Sequence, residues 1–195
     1  MIYDKIIGIG HSCVPAYQIR RNFGQQEAYF FDWLVMPPSA LVSIIKKGLI
    51  SLFCKEKFVI YEQAGTSATY VPVVQKELNI IFYHDFRKSF GLLDYDQVLK
   101  KYSFLADRWN QLMQGGKKIL FIRHHIKKDE CVETYEAIRS TYFSLDFKIL
   151  AVNECDPNTL LWNIDGIYSY YIKSSNSWHG DNNEWLRVFR EMKIK

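Results

Sequence analysis

The 195-residue chain has no CxxC pair, and its histidines and cysteines lack the spacing of a zinc-binding module. Its four cysteines, Cys13, Cys54, Cys131 and Cys155, are therefore expected to be reduced thiols, and the compartment to be the cytoplasm. No apolar run approaches the ~20 residues of a bilayer span, so no membrane span is expected. The first ten residues carry Asp4 and Lys5 and lack a basic start and a cleavage site, so no signal peptide is expected there. Charge of one sign is in short supply: the net charge of +4 is too small and too mixed to imply nucleic acid as a partner. The loose cluster Lys46, Lys47, Lys55 and Lys57 reads as a solvated face. GxGxxG and P-loop patterns are absent, as are repeats, low-complexity tracts and linkers.

What is abundant is apolar and aromatic material, 48% and 16% of the residues, enough for one domain over 1–195. The apolar run Ile6 to Ile9 predicts a buried strand over 5–10. It stops at Gly10-His11-Ser12-Cys13, and a helix is predicted over 14–23. Ser39 is the expected N-cap of a helix over 39–48. Residues 53–61 read as strand or connector, 63–67 as a turn, and 70–74 with 79–83 as strands forming a hairpin. Helices are expected from Asp94 or Asp96 to Gln114, over 130–143 and over 182–192. Apolar strands are expected at 119–122 and 147–152, with one or two more within 160–171. From Asp94 onward helix and strand alternate, which predicts an α/β fold: a three-layer, mostly parallel sheet with helices on both faces.

In such sheets ligands bind beyond the carboxyl ends of the strands. Those ends supply His11, Ser12 and Cys13, then His84 and Asp85, then Arg123, His124 and His125, then Asn153 and Glu154. Four of the five histidines thus follow an apolar strand, and they converge if all the strands run parallel; an antiparallel 70–83 pair takes His84 elsewhere. Cys13 lies where a helix amino end favours the thiolate. His179 followed by Asp181 offers a base with an orienting carboxylate, so that Cys13, His179 and Asp181 make a Cys-His-Asp order. Asp181 equally suits the N-cap of the last helix. His84 with Asp85 is the competing pair. Asp32 sits within an aromatic run and needs a partner, with Arg20 or Arg21 nearest. His124 and His125 are adjacent, a poor arrangement for chelation on a regular strand, so neither a metal nor a cofactor is expected.

The strand-end cysteine, Ala16-Tyr17-Gln18-Ile19-Arg20-Arg21, Phe31-Asp32-Trp33-Leu34 and His84-Asp85-Phe86 together resemble an uncharacterised microbial family of papain-like cysteine peptidases, some linked to surface-polysaccharide genes. The likeness is clearest over Ile6 to Phe86. It implies Cys13 as nucleophile, a histidine among His84 and His179 as base, and, as the alternative fold, an α+β papain-like arrangement.

The expected function is a cysteine-dependent hydrolase or acyltransferase acting on a small-molecule or peptide substrate, with His11, Ser12, Arg20, Asp32, Asp85, Arg123 and His124 lining the substrate site. Two alternatives stand beside it. One is a nucleotide-sugar or phosphosugar transferase in which the first turn binds phosphate beside Arg20, Arg123 and His124. The other is a non-catalytic interaction protein that uses its aromatics as a surface.

Overall fold

The computed structural model describes residues 2–62, 67–154 and 162–194. Cys155 and most of the 63–67 turn lie outside them, as do the first residues of the expected 160–171 strand region. Two sheets organise the chain. The first contains β1 (Lys5–Gly8), β6 (Lys118–His124), β7 (Asp146–Glu154) and β8 (Ile167–Ile172), all parallel and adjacent in that order. The second is antiparallel, with β2 (Leu34–Val35), β5 (Ile80–Phe82), β4 (Val73–Gln75) and β3 (Phe58–Ile60) adjacent in that order. The expectation of one mostly parallel sheet is corrected here. The 70–83 strands do form a hairpin, but it belongs to a sheet of its own.

Five α-helices surround them among the described residues: α1 (Val14–Phe23), α2 (Pro38–Lys47), α3 (Tyr95–Gln114), α4 (Lys128–Thr141) and α5 (Asn182–Glu191). None is long and apolar enough to cross a membrane. The N-cap of α2 is Pro37, not Ser39. Pro37 is extended (ψ 158°) and Pro38 fills the first turn, where a missing N–H costs nothing.

Side chains alternate across the parallel sheet, and each face meets its own core. Ile7, Ile119, Phe121, Ile149, Ala151 and Ile167 join the larger core with α2, α3, α4 and the antiparallel sheet. At its centre Trp109 stacks on Phe121, with ring centroids 5.5 Å apart, and donates its indole N–H to the Tyr142 hydroxyl at 3.0 Å. Ile6, Leu120, Ile122, Leu150, Val152 and Ile172 join the smaller core, closed by Val14 and Ile19 of α1 and by Trp185, Val188 and Phe189 of α5.

After β1 the chain continues alongside β6, with Ile9 N–H donating to the Ile122 carbonyl at 2.9 Å, and then turns at Gly10. Gly10 has φ +82°, and an added Cβ would lie 2.8 Å from Met36 and 2.9 Å from Arg123 Nη1, so glycine is required by both conformation and space. The turn delivers His11 and Cys13 to the carboxyl edge of the sheet.

Candidate functional site

Three imidazoles gather at that edge. The His11 ring lies 4.9 Å from that of His125 and 6.0 Å from that of His124, and the His124 and His125 centroids are 3.9 Å apart. Glu154, at the end of β7, brings Oε1 within 3.3 Å of His124 Nε2 and Oε2 within 3.9 Å of His125 Nε2. Local backbone explains the gathering. His124 ends β6 opposite Val152, and Glu154 lies two residues further on the same face of β7. His125 then takes φ +50°, leaving strand geometry, and its N–H donates to the Val152 carbonyl at 3.0 Å. The Asn153 side chain accepts from the Ile126 N–H at 2.7 Å and donates to the Ile126 carbonyl at 2.9 Å, which fixes the segment that carries His125. His11 also has positive φ, +65°. A cleft of about 570 Å³ opens over the group, lined by His11, His125, Lys127, Asn153, Glu154 and Trp162 among others.

His124 is 3% exposed, and burial pushes its imidazole down to about 2; neighbouring His125, His11 and Arg123 add to the shift. Burial, with Arg123 and His125, lowers His11 to about 4. Both rings are therefore neutral at pH 7. His84, the fourth histidine expected here, follows β5 in the antiparallel sheet. Its ring faces Trp33 at 5.9 Å and Tyr70 at 6.3 Å.

Cys13 is the N-cap of α1 and is partly exposed. Its thiol is pushed up to about 11, chiefly by burial, and further by the Asp32 and Asp85 carboxylates. This reverses the shift expected from its position at a helix end: desolvation and two negative charges outweigh the dipole. Among the described residues, no imidazole is hydrogen-bonded to the thiol. Ser12 Oγ lies 3.4 Å from the Val14 N–H, at the long end of a hydrogen bond.

The other expected residues have definite partners. Asp32 is 5% exposed and accepts from Arg20 at 3.0 Å and from the Tyr29 N–H at 3.0 Å; burial nevertheless raises its carboxyl to about 6. The Arg20 guanidinium also lies 4.7 Å from the centre of the Trp33 ring. Asp85 accepts from Lys101 at 2.5 Å and from the Tyr102 hydroxyl at 3.1 Å. Arg123 is fully buried and donates to the carbonyls of Ile9 at 2.7 Å and Met36 at 2.8 Å, so it fastens the β1 turn to the entry of α2.

His179 stacks on Tyr17 of α1, with centroids 4.9 Å apart, and its Nδ1 lies 2.9 Å from the Gly180 carbonyl. Gln18 of α1 donates to the His179 carbonyl at 2.7 Å, which holds this loop beside the first helix. Asp181 Oδ1 accepts from the Asn183 and Glu184 N–H groups, at 2.8 and 3.1 Å, and caps α5.

His125 and Glu154 were noted at strand ends but not counted as site residues. Alternation on a regular strand argues against joint chelation by the adjacent His124 and His125. The signal that could have found them is the break after His124, where a non-glycine residue turns left-handed, and sequence periodicity does not carry it.

Comparison with known proteins adds a family and one curated relative. No solved structure matches the chain. "Uncharacterized protein R408" of Acanthamoeba polyphaga mimivirus is 25% identical over 214 residues, covering 93% of this chain and 95% of the viral protein. A family model described as "Putative papain-like cysteine peptidase (DUF1796)" matches residues 4–156, a stretch that includes Cys13, Asp32, His84, Asp85 and the imidazole cluster. The chain belongs to this family.

Proposed function

We propose that the protein is a cysteine-dependent hydrolase or acyltransferase, with Cys13 as nucleophile and His84 as the base that takes its proton, acting on a small-molecule or peptide substrate. The observation that carries this reading is the place of Cys13, partly exposed at the head of α1 and, with His84, inside the stretch that the family model matches. Burial and the Asp32 and Asp85 carboxylates disfavour a resting thiolate. The thiol is thus held protonated until substrate arrives. As Sγ bonds to the carbonyl carbon, the proton passes to His84. The oxyanion then faces backbone N–H groups of Cys13 and Val14, while Pro15 has none to give. Collapse expels the leaving group with that proton, and water or an acceptor then releases the acyl group from sulfur.

His179, held against α1 by Tyr17, is the competing base, with Asp181 two residues further on. Hydrolysis of an activated p-nitrophenyl ester distinguishes the two. A burst of nitrophenol and an acyl adduct on Cys13 are expected, both lost in Cys13→Ala and His84→Ala and kept in His179→Ala. A burst that survives Cys13→Ala overturns the reading.

The phosphosugar-transferase alternative draws on a different observation: the carboxyl-edge cleft is lined by Lys127 and Lys128, and Cys13 is not part of its wall. Calorimetry with a panel of nucleotide sugars tests it, and absence of heat from every member rejects it.

A further inference from the structure

We propose that His124, His125 and Glu154 form a binding site for a divalent transition-metal cation of the zinc class, with its remaining coordination position open to the cleft beside His11. This site is separate from the Cys13 chemistry and does not depend on it.

One nitrogen from each histidine and one oxygen of Glu154 all lie within 4.8 Å of one another. The 3.3 Å approach of His124 Nε2 to Glu154 Oε1 is not a hydrogen bond: both ring nitrogens of His124 are without a hydrogen-bond partner among the described residues. A buried polar group left unpaired is costly, so something is expected to satisfy it. Ligand atoms ~2.0–2.1 Å from a tetrahedral cation lie about 3.3–3.4 Å apart, which matches the observed approach. A cation between the two groups therefore accounts for a contact that a proton does not.

The chemistry of the donors agrees. Two imidazoles and a carboxylate suit zinc and its neighbours better than magnesium or calcium, which take oxygen ligands. The Ser174 hydroxyl donates to Glu154 Oε2 at 3.1 Å and would orient the carboxylate. The Trp185 ring packs against His124 at 5.6 Å and keeps one side dry. On the other side the cleft reaches His11, His125 and Glu154, so a water, or an oxygen of a bound molecule, can complete the coordination.

The test uses the full chain, stripped with EDTA and titrated with cobalt chloride. One equivalent is expected to give the visible absorption of a tetrahedral cobalt site without sulfur-to-cobalt charge transfer, and zinc chloride is expected to abolish it by displacement. His125→Ala and Glu154→Gln, at positions outside the packed core, are expected to weaken binding about tenfold or more. Cys54→Ser is expected to leave it unchanged. His124→Ala would leave a hole against Trp185, so the other two variants carry the decision. Absence of a visible band overturns the proposal, as does a band that both variants leave intact or one that shows sulfur charge transfer.

Discussion

The Arg20 guanidinium donates to the Asp32 carboxylate at 3.0 Å, and this pair ties α1 to the aromatic turn that precedes β2. The carboxylate faces two demands. Arg20 and the Tyr29 N–H stabilise its charged form, while burial opposes it and prevails.

The first prediction concerns pH. Asp32 holds its proton more tightly folded, at about 6, than at its ordinary 3.8. Its contribution to stability is then complete below about pH 3.8 and declines as pH rises through about 6. Urea unfolding at pH 5 and pH 8 should show the wild type losing stability relative to Asp32→Asn, which lacks the titration. A relative gain would reverse the assignment.

Alkylation of Cys13 by iodoacetamide should accelerate with pH up to an inflection near 11, above the free-thiol range. Removing a negative charge favours thiolate, so Asp32→Asn should move the inflection down. Peptide mass spectrometry at each pH separates Cys13 from Cys54, Cys131 and Cys155.

Replacing Arg123 with Ala should cost about 3 kcal/mol or more in urea unfolding, because the buried carbonyls of Ile9 and Met36 lose their donor together. Arg123→Lys should recover only part of this, since one ammonium lacks the fork that spans both oxygens.

Gly10→Ala should destabilise by about 1–3 kcal/mol, from positive φ combined with a Cβ forced against Met36 and Arg123. Substitution at Gly24, which also has positive φ but nothing within 4 Å of an added Cβ, should cost less. Equal thermal shifts in the two variants would contradict the crowding.

Much of the fold was legible. The spacing of Val98, Tyr102, Leu105, Trp109 and Leu112 marked α3, and all of them are buried save for a trace. The apolar runs at 119–122 and 147–152 marked buried strands, and they pair in parallel. What escaped was set by distance along the chain or by single dihedral angles. β2 has two residues, too few to show a period. Beyond the expected hairpin, the antiparallel sheet depends on β2 meeting β5, far along the chain. The gathering of His11, His124 and His125 was half visible: the residues were placed at strand ends, but two left-handed turns aim their rings. The raised Cys13 thiol was invisible from its helix position because it comes chiefly from burial in the folded chain, and then from Asp32 and from Asp85, which follows a strand of the other sheet.

The family match ends at residue 156, yet the indole of Trp185 and the side chains of Val188 and Phe189 join α1 in covering one side of the parallel sheet. A chain shortened to the matched stretch would turn Leu120, Ile122, Leu150 and Val152 toward water and strip the wall behind His124. The closing helix is thus as much a part of the working unit as the segment that carries the family's signature.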